Sequence, residues 1–281
     1  MPPMQSNSKV GVYADVANLS QSGGSHLQYD VLREFACRDN AEPVRLNAYV
    51  VRDTQKAKSN QSYRNGKQRF HSKLRDYGYK VIVKEVKWFT NESGERYGKA
   101  NADLDLAVDA LLQSENLDRV LIVSGDGDFV QVVRALQNKG IRVEVVAPDN
   151  VSLELRREAD IFMCGHLIPR MIPIGQGENG WSGTGSRVRG WCYWFNEEKG
   201  YGFLRFLKRI TTGLWITDAR DADSPYGTCF VHVSDLPPTV NPDNLPSRDH
   251  IFEFEVARSN RSDLDEGDEL EARDIELTTR L

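Results

Sequence analysis

The sequence predicts two folded units of different class: an α/β domain with a mostly parallel sheet over residues 8–170, then a small all-β barrel over 187–280. Three observations carry this reading. Short apolar runs alternate with helically spaced ones through the first half. A glycine-rich stretch interrupts the pattern at 171–186. Beyond it come short alternating strands, Gly/Pro/Asn/Asp turns and almost no helix signal.

Taken in order, Lys9 to Ala14 reads as a first strand, and Asp30 to Cys37 has helical spacing through Val31, Leu32, Phe35 and Ala36. Val44 to Val51 is a second strand, and Gln61 to Tyr77 a basic helix stopped by Gly78. Val81 to Val83 is a third strand, Leu104 to Leu112 a helix, and Arg119 to Val123 a fourth strand. Asp128 to Gln137 forms a helix ended by Gly140, Ile141 to Ala147 a fifth strand, and a short helix follows near Leu153. Strands alternating with helices argue for a sheet covered on both faces.

The interruption contains Gly175, Gly177, Gly180, Gly183 and Gly185 and reads as a flexible linker. Residues 175–180 also spell G-x-G-x-x-G, but a dinucleotide fingerprint must leave a strand and open a helix, and these flanks do neither. Charge divides at the same place. Residues 1–170 carry 24 basic and 22 acidic side chains, whereas 171–281 carry 12 and 19. Much of that deficit lies in Asp263 to Glu271, which reads as a solvated acidic turn because it lacks the glycine and glutamate spacing of a calcium loop.

Of the 281 residues, 40% are hydrophobic and 27% charged, a globular composition with a net charge of −5. No apolar run approaches the ~18 residues of a membrane span, and the N-terminus has no signal-peptide pattern. Cys37, Cys164, Cys192 and Cys229 are scattered without a C-x-x-C pair, which argues against a zinc ribbon and a disulfide framework. A reduced, cytoplasmic protein is expected.

Two predicted strands end in carboxylates, where open parallel sheets collect their chemistry. The first runs through Asp15 to Asn18, and the fourth runs Ser124-Gly-Asp126-Gly-Asp128-Phe129. The glycines allow sharp turns that bring Asp126 and Asp128 together. Between these strands, Lys99-Ala-Asn-Ala-Asp103-Leu-Asp105 opens a helix, with Asp105 and Asp109 on one face. Converging carboxylates without His or Cys form an oxygen donor set suited to Mg²⁺ or Mn²⁺, and such a site can polarise a phosphodiester and activate water. Singly, each aspartate also fits a helix cap or a turn.

These motifs resemble the NYN domain family of PIN-like nucleases: a first-strand Asp15 with Asn18, the Lys99, Asp103 and Asp109 helix entry, and the Ser124 to Phe129 strand end. The resemblance spans about residues 8–170 and implies a Rossmann-like, metal-dependent endoribonuclease. By it, Asp15, Asp103, Asp126 and Asp128 hold Mg or Mn, Asn18 orients the cluster or meets phosphate, and Asp109, Ser124 and Lys99 support them. From Val51 to Lys87 there are also 11 basic residues against three acidic ones, among them Arg64, Lys67 and Arg69, the pattern of a phosphate track or of a solvated helix face.

The second half carries interleaved aromatics: Trp194, then Lys199-Gly-Tyr201-Gly-Phe203-Leu-Arg-Phe206, then Phe230-Val-His232. Lys199 to Phe206 fits a ribonucleoprotein motif in which alternating aromatics stack on bases, while Phe195 and Phe206 suit a core. The segment is similar to a cold-shock domain, an OB-type barrel. That resemblance implies a stacking platform of Trp194, Tyr201, Phe203, Phe230 and His232, with Lys199 on phosphate. Leu204 to Cys229 is longer than the family's usual connection, and His232, His250 and Cys229 have no zinc spacing. The expected protein is an endoribonuclease with a barrel that binds single-stranded RNA. The competing readings are a non-catalytic RNA-binding regulator and a single-stranded DNA nuclease.

Overall fold

The structure is a computed structural model that describes residues 7–21, 26–91, 93–174, 181–259 and 270–281, with Gln21 and Lys99 described in their backbone alone. The chain divides into two compact units. One comprises the N-terminal strand and Tyr29–Met163, the other His26–Gln28 and Cys164–Leu281.

The first unit is built on a six-stranded sheet. Its strands are β1 (Lys9–Asp15), β2 (Glu42–Arg52), β3 (Lys80–Glu85), β6 (Arg119–Val123), β7 (Arg142–Ala147) and β8 (Ile161–Cys164). Their order is β3-β2-β1-β6-β7-β8, and β1 pairs in parallel with both β2 and β6. The central strands are rich in Val and Ile because both faces are covered; all five residues of β6 are buried. The helices are α1 (Val16–Gln21), α2 (Tyr29–Ala36), α3 (Thr54–Ser59), α4 (Gln61–Asp76), α5 (Ala102–Gln113), α6 (Val130–Gln137) and α7 (Leu153–Glu158). On one face, α5 and α6 place Leu106, Ala110, Val133 and Leu136 against Tyr13, Ile122 and Val145 of the sheet. The opposite face packs α2 against β1, with Leu32 and Phe35 fully buried.

Under α2, Arg38 and Glu144 form a buried ion pair of 2.6 Å. Arg119 stands 3.8 Å and Arg142 3.1 Å from the same carboxylate. One carboxylate thus answers several guanidinium groups, an arrangement that costs little once every partner is placed and a great deal if one is removed.

Each strand and helix expected from the sequence in this half is present. Beyond them come the short helices α1 and α3, the continuation of the sheet to β8, and an antiparallel hairpin, β4 (Lys87–Thr90) and β5 (Arg96–Lys99), between β3 and α5.

The second unit is a closed barrel of β9 (Arg187–Asn196), β10 (Tyr201–Leu207), β11 (Tyr226–His232), β12 (Ser247–Arg258) and β13 (Leu270–Arg280), ordered β10-β11-β13-β12-β9. All its pairings are antiparallel except β11 with β13. Phe206, Phe252 and Phe254 fill the interior with Val188, Leu204 and Val256. Among the four cysteines no disulfide forms, and Cys164, Cys192 and Cys229 are buried.

The stretch read as a linker, 171–186, begins and ends in packed structure. Met171 and Ile172 are buried, Trp181 donates its indole N–H to the Leu207 carbonyl at 2.6 Å, and Ser186 is buried. Its large apolar side chains found partners that the glycine count concealed. The G-x-G-x-x-G at 175–180 and the acidic run up to Glu269 lie outside the described residues. The long connection between β10 and β11 is folded: Leu214 is buried, the Tyr226 hydroxyl donates to its carbonyl at 2.9 Å, and Ser224 donates to the Ile216 carbonyl at 2.8 Å. Among the described residues, no helix is long and apolar enough to cross a membrane.

Candidate functional site

The parallel ladder ends where β1 and β6 deliver Asp15 and Ser124 side by side, since Ala14 pairs with Val123. Asp15 is only 1% exposed. Its Oδ1 accepts the Asn18 N–H at 3.0 Å, which starts α1, and its Oδ2 accepts the Ser124 hydroxyl at 3.3 Å. The chain of contacts continues outward. Ser124 Oγ accepts the Asp126 N–H at 3.2 Å, and Asp126 Oδ1 accepts the Asp128 N–H at 3.0 Å. Asn18 Oδ1 closes the circuit by accepting the Gly125 N–H at 3.1 Å. Asn18 therefore orients the turn after β6.

That turn requires glycine. A Cβ on Gly125 would lie 2.8 Å from the Asn150 carbonyl oxygen, and the Gly125 carbonyl accepts the Ser152 N–H at 2.8 Å. The loop after β7 buttresses the turn after β6, and no local pattern in the sequence announces that contact.

Asp103 enters from the first turn of α5, exposed, near the positive end of the helix. The electrostatics register the crowding. Burial first, and then the charges of Asp103 and Asp126, push the Asp15 carboxyl up to about 6, against the lowering effect of the Asn18 and Ser124 hydrogen bonds. The Asp103 carboxyl is also raised, by burial and then by Asp126 and Asp128. All four expected carboxylates thus share one end of the sheet.

As the side chains stand, no three His, Cys, Asp or Glu among the described residues are gathered closely enough to share one cation. The donor chemistry nevertheless fits a hard divalent ion: carboxylate oxygens without nitrogen or sulfur, with Asp15 and Asp103 raised by burial first and then by neighbouring charges, and with Asp103 and Asp128 exposed.

Asp109 stands one step behind. It accepts the Tyr49 hydroxyl at 2.8 Å, and Tyr49 pairs with Asp15 in the β1–β2 register. Burial first, and then this bond, drive the Tyr49 phenol far above its ordinary range, so it remains a donor. Asp105, expected on the same face, is instead paired with Lys84 at 2.5 Å. The Lys99 side chain lies outside the described residues.

The basic track is formed by α3 and α4. Lys56 and Lys67 flank the Tyr63 ring at 5.1 and 5.9 Å, and Arg69 is exposed. Arg64 has a structural task, donating to the Ala57 carbonyl at 3.1 Å. Phe70 packs edge-on against Tyr29 at 5.7 Å and belongs to the core side.

On the barrel, Phe203 pairs with Trp194 on one side and Phe230 on the other, and Tyr201 pairs with His232. A bulge before Leu204 skips Tyr193, so Tyr193 and Trp194 both reach the outer face. Gly202 permits it, because a Cβ there would lie 2.5 Å from the Trp194 carbonyl oxygen. Trp194 and Tyr201 have ring centroids 5.4 Å apart, and Tyr201 stacks on Phe230 at 5.6 Å. Trp194 is 40% exposed and Phe230 only 7%, so Phe230 supports the platform from beneath. His232 sits at the edge with Nδ1 2.8 Å from the Ser234 hydroxyl, and Lys199 is exposed on the adjoining turn. Phe206 is core, as expected.

Sequence reasoning missed the β4–β5 hairpin, where Trp88, Phe89 and Tyr97 are exposed. Its signal was legible: two short aromatic runs flank Asn91-Glu-Ser-Gly94.

The NYN domain signature matches residues 9–166. The chain is similar to low amplitude and bright protein LabA of Synechococcus elongatus, at 32% identity over 136 residues that cover 47% of this chain and 68% of LabA. A solved structure of a protein of unknown function from Vibrio parahaemolyticus aligns at 27% identity over 57% of this chain and 96% of its own, with a TM-score of 0.46. The matched span includes both carboxylate strand ends and the α5 entry, and on that footing the chain belongs to the NYN domain family of the PIN-like nuclease superfamily.

Proposed function

We propose that this protein is a metal-dependent endoribonuclease whose barrel holds single-stranded RNA. The observation that carries the reading is the Asp15 carboxyl, buried at a strand end and raised to about 6 with the charges of Asp103 and Asp126 beside it. Ionising a buried carboxylate beside others costs stability, and a bound cation would offset that cost.

Asp15, Asp103, Asp126 and Asp128 would hold Mg²⁺ or Mn²⁺. When bound there, the ion supplies charge neutralisation at the phosphodiester and a more acidic water. This chain's own groups do the positioning. Ser124 ties Asp15 to the Asp126 backbone, and Asn18 holds the Gly125 turn through its N–H. Asp109 and Tyr49 brace α5 against β2. Lys56, Lys67 and Arg69 offer phosphate contacts, while Arg64 mainly secures the helix pair.

For the barrel, the closed five-stranded order with one parallel pairing, β11 to β13, supports an OB-type, cold-shock-like reading. Trp194, Tyr201 and Phe203 would stack bases over the supporting Phe230 ring, with His232 and Lys199 at the margin. Four cysteines that form no disulfide would suit a reducing, cytoplasmic setting.

The test uses the full chain with labelled single-stranded RNA and DNA in Mg²⁺, Mn²⁺ or EDTA. RNA should be cut internally in either metal and not in EDTA. Asp126→Asn should lower the rate by at least ~10² while affinity holds. Equal cleavage by Asp126→Asn, Asp15→Asn and wild type would place the activity elsewhere. Binding without cutting in any metal identifies a non-catalytic regulator, and preferential cutting of DNA identifies a single-stranded DNA nuclease.

A further inference from the structure

The β4–β5 hairpin leads directly into the helix that carries Asp103, with two residues between Lys99 and Ala102. Every residue of β4 is exposed. Trp88, Phe89 and Tyr97 are 38%, 45% and 50% exposed. A two-stranded hairpin is marginal in water, and one that buries neither face has no folding reason to carry three aromatics.

The aromatics are ordered. Phe89 pairs with Tyr97, and the rings stack at 5.8 Å with 29° between planes. On the other face the Trp88 indole lies over Gly98, where a Cβ would come within 3.4 Å of the ring. The Arg96 guanidinium sits 5.1 Å from the same indole. Cations accompany the rings: Lys87 is exposed on the same strand, and Lys56 and Lys58 follow on α3.

The hairpin is also anchored. Arg96 donates to the Gln55 side-chain oxygen at 2.9 Å. Asp53, whose carboxyl is held below the ordinary range by the Lys56 N–H first, takes a further hydrogen bond from Trp88. The arm is thereby joined to the basic α3–α4 pair at one side and to the Asp103 turn at the other.

We propose that the β4–β5 hairpin is a nucleotide-stacking arm that holds the single-stranded RNA beside the carboxylates, with bases on the Phe89–Tyr97 and Trp88 rings and phosphates on Lys87 and Arg96. Aromatic faces interleaved with cations are the chemistry that grips a single strand without reading its sequence. The inference rests on the nuclease reading for its placement of the scissile phosphate. It adds a second stacking surface, built into the NYN unit itself.

The experiment uses the full chain and single-stranded RNA substituted with 4-thiouridine. Photocrosslinks formed in EDTA should map to 87–99. In a Phe89→Leu/Tyr97→Leu variant, which keeps apolar bulk but loses the π faces, KM and the RNA dissociation constant should rise roughly 5- to 100-fold, with kcat within about threefold. Trp88→Ala should act in the same direction. Circular dichroism checks the variants, and the wild-type crosslink map decides the matter if either fails to fold.

Crosslinks confined to other segments, together with an unchanged KM, overturn the arm. If Asp126→Asn still abolishes cleavage in that case, the nuclease reading stands without it. Crosslinks on the hairpin in a protein whose cleavage ignores Asp126→Asn sink the nuclease reading and leave the arm as a nucleic-acid site. A change of oligomeric state in the leucine variant, with no RNA crosslinked there, makes the hairpin a protein contact and overturns the proposal.

Discussion

Asp15→Asn should make the protein more stable and less active at once. Burial and the neighbouring carboxylates raise the Asp15 carboxyl from 3.8 to about 6. At ~1.36 kcal/mol per pKa unit, that shift corresponds to about 3 kcal/mol of destabilisation when the group is ionised. The sign follows from proton binding. Between about pH 4 and pH 6 the folded chain holds this proton more tightly than the unfolded chain, so stability falls as pH rises. The cost is complete above about pH 6 and absent below about pH 4.

Asparagine never ionises, and it can keep the acceptor for the Asn18 N–H. The variant should therefore be more stable at pH 8 by about 1–3 kcal/mol, allowing for weaker contacts once the charge is lost. The gain should vanish near pH 4. The chain has two compact units, so hydrogen exchange of the β1 and β6 amides in EDTA is the readout specific to the region around Asp15. Adding Mg²⁺ should then stabilise wild type and leave the variant little changed, since the variant lacks one of the four carboxylates proposed to hold the cation. A variant less stable than wild type at pH 8 in EDTA, or a difference independent of pH, would refute this account of Asp15.

Three further outcomes are expected. Glu144→Ala should cost about 3–5 kcal/mol in urea denaturation, because Arg38 loses its buried counter-charge while Arg119 keeps only Asp39, 3.5 Å away; a loss under ~1 kcal/mol would mean the pair is effectively solvated. Gly125→Ala places a Cβ 2.8 Å from the Asn150 carbonyl oxygen, so it should cost about 1–3 kcal/mol and reduce cleavage far more than RNA binding, as rate and affinity measured side by side would show. Trp194→Ala or Phe203→Ala should each lose ~1–3 kcal/mol of single-strand affinity in titrations without altering the maximal rate, whereas Phe206→Ala should instead unfold the barrel, at about 3–5 kcal/mol.

Much of this arrangement was written in local pattern. The Val/Ile-rich runs at 119–123 and 142–147 read as strands covered on both faces, and the strand-end motifs at Asp15 and Ser124–Phe129 followed from where such strands stop. Alternating aromatics after Lys199 marked one face of a β-ribbon in the same way, because strand periodicity is two.

Tertiary structure decided what periodicity cannot carry. Asp105 and Asp109 share a helix face, yet Lys84 takes one and Tyr49 the other, because β3 and β2 lie at different points along α5. Arg64 and Arg69 look alike in a basic run, but only Arg64 is bound to the Ala57 carbonyl. The need for glycine at position 125 comes from Asn150, which arrives from another strand loop. The raised Asp15 carboxyl likewise depends on burial and on charges that three separate segments bring to one place. Local sequence specifies which face a side chain takes on its own element; what meets it there is set by contacts between residues far apart in the chain.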